Sequence, residues 1–147
     1  MNEKFEHEVE KWVGHWIKII NRNMINIHNQ KLEKYGFTVS QLSVLSRLWR
    51  QDGLTQKEIA KKLKIKPPSL TGLIDTLVTK GWVVRREDKV DARINRIYLT
   101  EEGQELKLKS LEVVDEMEKL ICEGFSPEEK LLMLSWLKKL NNNLEQH

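Results

Sequence analysis

The chain has 147 residues, of which 39% are hydrophobic and 32% charged, with only 7 Gly and 3 Pro; that composition fits one helix-rich globular domain and excludes a disordered or collagen-like chain. The formal charge of +3 names no partner, but it is unevenly spread: residues 1–54 carry a net +2, residues 55–99 carry 11 basic and 5 acidic side chains for a net +6, and residues 100–147 a net −5. A localised basic segment is the electrostatic footprint of a nucleic-acid binder, and a merely solvated charged surface is the competing explanation.

The single cysteine, Cys122, excludes an intramolecular disulfide framework and a cysteine-based zinc site. The first residues lack the basic-then-apolar layout of a signal peptide, and no run approaches the ~18 apolar residues of a membrane span. A cytoplasmic protein without a membrane partner is the expectation.

Apolar residues Phe5, Val9, Trp12, Val13, Trp16, Ile17, Ile20, Met24 and Ile27 recur at spacings of three, four and seven, which predicts one long amphipathic helix from Phe5 to about Lys34. Thr38 and Gln41 then form a capping box, with Phe37 and Leu42 placed as a hydrophobic staple, so a second helix should run to about Gln51. Thr55 and Glu58 repeat the device and start a short helix through Leu63. Pro67 and Pro68 suit the first positions of the next helix, where a missing N–H is harmless, and Gly81 follows as its C-terminal cap. Within it Leu70, Leu73, Ile74, Leu77 and Val78 share one face, leaving Pro68, Ser69, Thr71, Gly72, Asp75, Thr76 and Thr79 free.

Trp82 to Arg86 and Arg96 to Leu99 are β-prone runs separated by a polar stretch, a hairpin with a long tip. Thr100 caps a further helix with an acidic first turn, whose apolar positions include Leu111, Val114, Met117, Leu120 and Ile121. Ser126, Pro127 and Glu129 open the last helix with cap, proline and capping-box glutamate, and Leu132, Trp136, Leu140 and Leu144 mark its expected buried side.

Hydrolase, phosphate-loop, dinucleotide and zinc-protease motifs are all missing, so no catalytic residue, cofactor or metal is assigned and the chain is not read as an enzyme. His7, Glu8 and His15 could share a side of the first helix, but no second cluster would close a coordination shell. Cys122 lies among apolar and acidic neighbours, which disfavours a thiolate; it is read as structural.

Helix, helix, turn, helix and hairpin between Thr38 and Leu99 is the order of a winged helix-turn-helix, in which the second helix of the pair enters the major groove. Pro68, Ser69, Thr71 and Gly72 near that helix's start permit close approach to bases. Gln56, Lys57, Lys61, Lys64 and Lys66 surround it as phosphate anchors, and the hairpin offers Arg86, Lys89 and Arg93. Use of the same unit for protein contact is the alternative; the +6 charge argues for double-stranded DNA.

These residues resemble the MarR family of bacterial and archaeal transcriptional regulators. The resemblance is strongest from Leu54-Thr55-Gln56-Lys57-Glu58-Ile59-Ala60, through Leu77 to Val83, to the wing Arg86 to Arg93 and its exit Ile97 to Gly103; Asp91-x-Arg93 followed by Leu99-Thr100 and Gly103 is its most specific part. It implies a mainly α fold formed by residues 1–147 as a single domain. Residues 38–99 would be the winged helix-turn-helix lobe, and residues 1–34 and 100–147 dimerisation helices. It further implies a homodimeric repressor on a pseudo-palindromic site, half-sites about 10 base pairs apart, with Arg93 entering the minor groove and Asp91 holding the wing. A small aromatic or phenolic effector is a common signal in such a family. Trp12, His15, Trp16 and Trp49 are the pocket residues this chain offers, although aromatic residues at helical spacing also serve as core. Its peroxide-sensing branch matches less well, since no cysteine lies in the N-terminal helix. Independently, the apolar stripes of the first and last helices exceed what a small winged domain can cover, which points to burial across a two-fold axis.

Overall fold

A computed structural model describes residues 3–147. Its elements are α1 (Glu3–Val9), α2 (Val13–Glu33), α3 (Val39–Arg50), β1 (Leu54–Thr55), α4 (Gln56–Leu63), α5 (Pro67–Thr79), β2 (Val83–Glu87), β3 (Asn95–Leu99), α6 (Glu101–Ile121) and α7 (Pro127–Glu145). The fold is mainly helical with a winged helix-turn-helix at its centre, as the sequence pattern predicts. The chain divides into two compact units after Val114, inside α6.

Local capping sets most of the boundaries. Thr38 and Thr55 each accept the backbone N–H three residues on, while Gln41 and Glu58 return the bond to the cap's own N–H, so both capping boxes are complete. Phe37 and Leu42, the anticipated staple pair, are both in the core. Pro67 and Pro68 occupy the first turn of α5, and Gly81 follows its C-cap at φ 77°, a left-handed conformation that favours glycine. At α7 only half of the capping box forms: Ser126 accepts from the Glu129 N–H.

Three strands form an antiparallel sheet in the order β1-β3-β2, Val83 opposite Leu99 and Leu54 opposite Ile97. The two-residue β1 escaped the sequence reading because Leu54-Thr55 is too short to show alternation and Thr55 doubles as a helix cap. Packing is centred on Val44, Leu45, Leu48, Ile59, Leu70, Ile74, Leu77, Val83 and Ile97, all 0–1% exposed, each stabilising the fold by about 1.5–3 kcal/mol relative to an exposed position.

Three expectations are corrected. The first helix is interrupted at Glu10–Trp12: Lys11 and Trp12 N–H groups bond three residues back, to Glu8 and Val9, and the Trp16 indole N–H takes the Glu10 carbonyl at 2.8 Å. No side chain of α1 is buried, so nothing there repays the cost of continuing the helix, and Gly14 lowers helix propensity just beyond the break. On α6, Leu111, Val114 and Leu120 are exposed, whereas Leu106, Ser110, Val113 and Met117 are buried. A serine in the stripe disguised it; the Ser110 hydroxyl donates to the Lys107 carbonyl and so enters the interior satisfied. On α7, Leu132, Trp136 and Leu144 are exposed and Leu140 half-buried, because within one chain no element covers that face.

Gly103 sits where α6 leaves the sheet. A Cβ there would fall far inside contact distance of the Trp82 carbonyl, while the Gly103 carbonyl accepts the Trp49 indole N–H at 2.9 Å. Gly103→Ala should therefore lower unfolding stability by about 1–3 kcal/mol, the usual cost of overpacking. A urea midpoint equal to that of the parent would show that α6 can shift without loss.

Candidate nucleic-acid interface

The face of α5 opposite the core carries Pro68, Ser69, Thr71, Gly72, Asp75, Thr76 and Thr79, all exposed. Its rotation is set by Leu70, Ile74 and Leu77, which are fully buried. Gly72 costs a helix interior about 1 kcal/mol relative to alanine, and a methyl group added there would meet nothing within 4 Å. Packing within the chain therefore gives no reason for glycine.

Between α4 and α5 the turn is closed by Lys64 in the left-handed region, φ 53°, with its N–H on the Ala60 and Lys61 carbonyls. The left-handed conformation costs a non-glycine residue about 1–2 kcal/mol, which the two capping bonds help to offset. Lys57, Lys61 and Lys64 line a groove of about 420 Å³ with Gln56, Ala60, Ile65, Pro67 and Leu70, and Lys66 is exposed beside it. A second groove of about 330 Å³ brings Gln56 and Lys57 together with Arg93 of the hairpin. Sequence-predicted anchors from two distant segments thus share one surface. Lys62, also exposed, belongs to the same basic helix and was not singled out from the sequence.

Positioning residues were the larger omission. Arg85 on β2 is half-buried and donates from Nε to Gln56 Oε1 at 3.3 Å and from its terminal nitrogen to Asp75 Oδ1; Gln56 Nε2 donates in turn to Thr71 Oγ1 at 3.4 Å. Strand, first helix and second helix of the motif are joined by this chain of side chains. A charge opposite a helix face in a later strand leaves no local spacing signal, so the sequence could not reveal it.

The hairpin tip is built on Asp88. Its Oδ2 accepts the Val90 and Asp91 N–H groups, each at 3.0 Å, and its Oδ1 accepts Arg96 Nε, while Arg96 also donates to the Gly53 carbonyl at 2.9 Å. The Arg96 guanidinium first, and the two N–H groups next, hold the Asp88 carboxyl below the usual carboxylate range. Asp91 makes the contact inferred for it: both its oxygens accept from Arg93, at 3.0 Å from Nε and 3.0 Å from the terminal nitrogen, and its pKa is lowered chiefly by that guanidinium. Arg93 nevertheless keeps 90% of its side chain exposed, held in position by one carboxylate and open on its other side. Lys89 and Arg86 are exposed, and Arg86 lies over the Tyr98 ring at 5.4 Å.

The four aromatic residues named for an effector are not gathered together. Trp49 lines a cleft of about 440 Å³ with His28, Ser43, Ser46, Arg50, Lys107 and Leu111 among others. Trp12, His15 and Trp16 lie at the start of α2, outside that lining; Trp12 is 56% exposed, and the His15 and Trp16 rings meet edge-on at 5.9 Å. His28, missed in the sequence, has a buried Nε2 without a hydrogen-bond partner, and burial lowers its pKa. His7 faces Glu10 at 3.9 Å. Cys122 is half-buried, its thiol 3.7 Å from Glu118 Oε1.

Residues 37–94 match the family model described as "MarR family". The HTH-type transcriptional regulator YwoH of Bacillus subtilis (strain 168) is 34% identical over 113 residues, spanning 74% of this chain and 82% of that relative. The chain belongs to the MarR family. YdgJ, another HTH-type transcriptional regulator of the same strain, is 30% identical over 74% of this chain, the match spanning 66% of YdgJ. Among solved structures, MepR of S. aureus in a MepR–DNA complex superposes with a TM-score of 0.81 and 32% identity, covering 90% of this chain and 98% of that one. Among the described residues no helix is long and apolar enough to cross a membrane.

Two outcomes follow for this MarR-family chain. Gly72→Ala should raise unfolding stability by about 0.5–1 kcal/mol, measured by urea denaturation; a loss would mean that the helix is constrained there by contacts within the chain. Asp88→Asn should speed amide exchange at Val90 and Asp91 by about tenfold or more, as a local opening. Because the Asp88 pKa is depressed on folding, its contribution is complete above the ordinary carboxylate pKa of about 3.9 and disappears as pH falls through the lower native value. The parent wing should therefore lose its protection, relative to the intrinsic exchange rate at each pH, only in that acid range. Unchanged exchange in the variant would mean that the turn is held without Asp88.

Proposed function

We propose that this protein is a homodimeric, sequence-specific transcriptional repressor that binds double-stranded DNA at a pseudo-palindromic operator. The observation that carries the reading is the shared surface of α5, the lysines of α4 and Arg93, assembled from distant segments on the most basic third of the chain. On this reading Pro68, Ser69, Thr71 and Gly72 lie in the major groove. Gln56, Lys57, Lys61, Lys64 and Lys66 hold phosphates, Arg93 enters the minor groove with Arg86 and Lys89 beside it, and Asp91 keeps Arg93 in line. The relationship to MepR, whose structure was solved with DNA, supports the partner.

Residues 38–99 are then the DNA-binding lobe, with residues 1–34 and 100–147 the dimerisation helices of one functional domain. In support, Val13, Trp16, Ile17 and Ile20 on α2, and Leu132, Trp136 and Leu137 on α7, are 42–60% exposed. Isolated surface hydrophobes need no explanation, but contiguous stripes of this kind mark interaction sites. The Trp49 cleft is the proposed seat of a small aromatic or phenolic effector. Its lining includes Arg50 and Lys107, suited to an anionic ring substituent, and Trp49, whose indole N–H is committed to Gly103.

Selection of bound sequences from a random duplex pool should return a palindromic consensus. Arg93→Ala should weaken binding to it by about 1–3 kcal/mol, and Lys57→Ala should lower the slope of log K against log salt by about 1. Ile20→Asp should convert a sedimenting dimer to monomer and weaken operator binding with it. Absence of duplex binding at low salt would overturn the reading in favour of a protein-contact module.

A further inference from the structure

The threonine hydroxyl groups on the outer face of α5 are already engaged. Thr71 Oγ1 donates to the Pro67 carbonyl at 3.1 Å and accepts from Gln56 Nε2 at 3.4 Å; Thr76 Oγ1 donates to the Gly72 carbonyl at 3.1 Å. Gln56 Oε1 is taken by Arg85, which also binds Asp75. Pro68 adds an apolar ring with no N–H, and Gly72 adds no side chain. Beyond the Ser69 hydroxyl, the face therefore has few side-chain donors. Adenine N7, guanine N7 and O6, and thymine O4 all require a donor in the major groove, and adenine N6 and cytosine N4 an acceptor; the thymine methyl alone requires an apolar contact. With each hydroxyl proton turned back to the carbonyl four residues earlier, the threonines meet a ligand through their methyl groups.

We propose that Thr71 and Thr76 are specificity-determining residues that read thymine 5-methyl groups by apolar contact, so that thymines set the operator sequence at the centre of each half-site. The inference rests on the docking of α5 in the major groove proposed above. Gln56 and Arg85 act as positioning residues: Gln56 donates to the Thr71 hydroxyl oxygen and so selects the rotamer that presents its methyl, and Arg85 holds Gln56 in place. Gly72, between the two threonines on the helix surface, lets the backbone approach closely enough for both methyls to touch.

Two random duplex pools test this, one made with thymidine and one with deoxyuridine throughout. The dominant duplex recovered from the thymidine pool is then resynthesised with deoxyuridine at one position at a time. At one or two half-site positions, loss of the methyl should weaken parent binding roughly fourfold, the weight of one buried methylene. Thr76→Ser, which keeps the hydroxyl and drops the methyl, should lose the same factor on the thymidine duplex and no longer distinguish it from the deoxyuridine duplex. Thr76→Val, which keeps the methyl and drops the hydroxyl, should bind within about twofold of parent. Thr71→Ser should behave as Thr76→Ser does, whereas Thr71→Val also gives up the Gln56 contact and should fall below parent while still favouring thymidine over deoxyuridine; urea midpoints close to the parent's show that these exposed substitutions leave the fold intact. Equal affinity for thymidine and deoxyuridine duplexes overturns the proposal while leaving DNA binding in place. Loss of affinity in the Val variants with retention in the Ser variants overturns it in favour of hydroxyl readout. Failure of both pools to yield any bound duplex removes the docking on which it rests.

Discussion

Leu70, Ile74 and Leu77 are wholly buried, and because successive residues of a helix are turned by about 100°, their burial fixes how α5 is rotated about its own axis. A roll of one residue would expose a leucine and bury Thr71 or Gly72 in its place, losing about 1.5–3 kcal/mol of apolar burial per side chain. Every outward feature of the helix depends on that rotation. Arg85 and Gln56 add a polar stop to the apolar one, since a roll of α5 would break the Arg85 bond to Asp75 and the Gln56 bond to Thr71. The core sets the angle, and the strand behind it resists small excursions.

The wing is constructed on the opposite principle. Val90 at its tip is almost fully exposed, and the turn holds together through Asp88, Arg96, Asp91 and the carbonyl of Gly53. Exposed ion pairs add little to global stability. Their effect here is geometric, for each bond fixes the direction of a backbone group or of the Arg93 guanidinium. A segment that contributes little to folding can thus be well shaped, and it can open locally without unfolding the rest.

The parts that were legible in the sequence are those with local chemical signatures. Thr38 with Gln41 and Thr55 with Glu58 announce helix starts at a spacing of three. Pro67, Pro68 and Gly81 bracket α5, and the shift to β-prone residues at Val83 announces the hairpin. The Asp91–Arg93 pair was accessible through family resemblance and is seen as a two-pronged contact. What stayed hidden is non-local or depends on a second chain. Arg85 meets Gln56 across 29 positions of sequence, and Trp49 meets Gly103 across 54. The buried stripe of α6 contains Ser110, which hydrophobicity alone assigns to the surface. The stripes of α2 and α7 were read as buried and are exposed in a single chain; periodicity reports that a face is apolar and cannot say which molecule covers it.

The cleft and α5 are joined by a short chain of contacts. Trp49, in the cleft wall, is hydrogen-bonded to the Gly103 carbonyl; Gly103 lies against the Trp82 carbonyl with no room for a methyl group; and that same carbonyl accepts the Thr100 N–H at the root of α6. Trp82 in turn follows the C-terminal cap of α5 and packs edge-on against Phe37 at 5.7 Å. Close-packed junctions of this kind deform poorly and switch between discrete arrangements instead. On the proposed reading, a molecule seated in the cleft would reach α5 through Trp49 and Gly103. It would change DNA affinity only to the extent that it binds one arrangement of this junction better than the other. The glycine that makes the contact tight is thus both a packing requirement and the point where cleft occupancy would be transmitted.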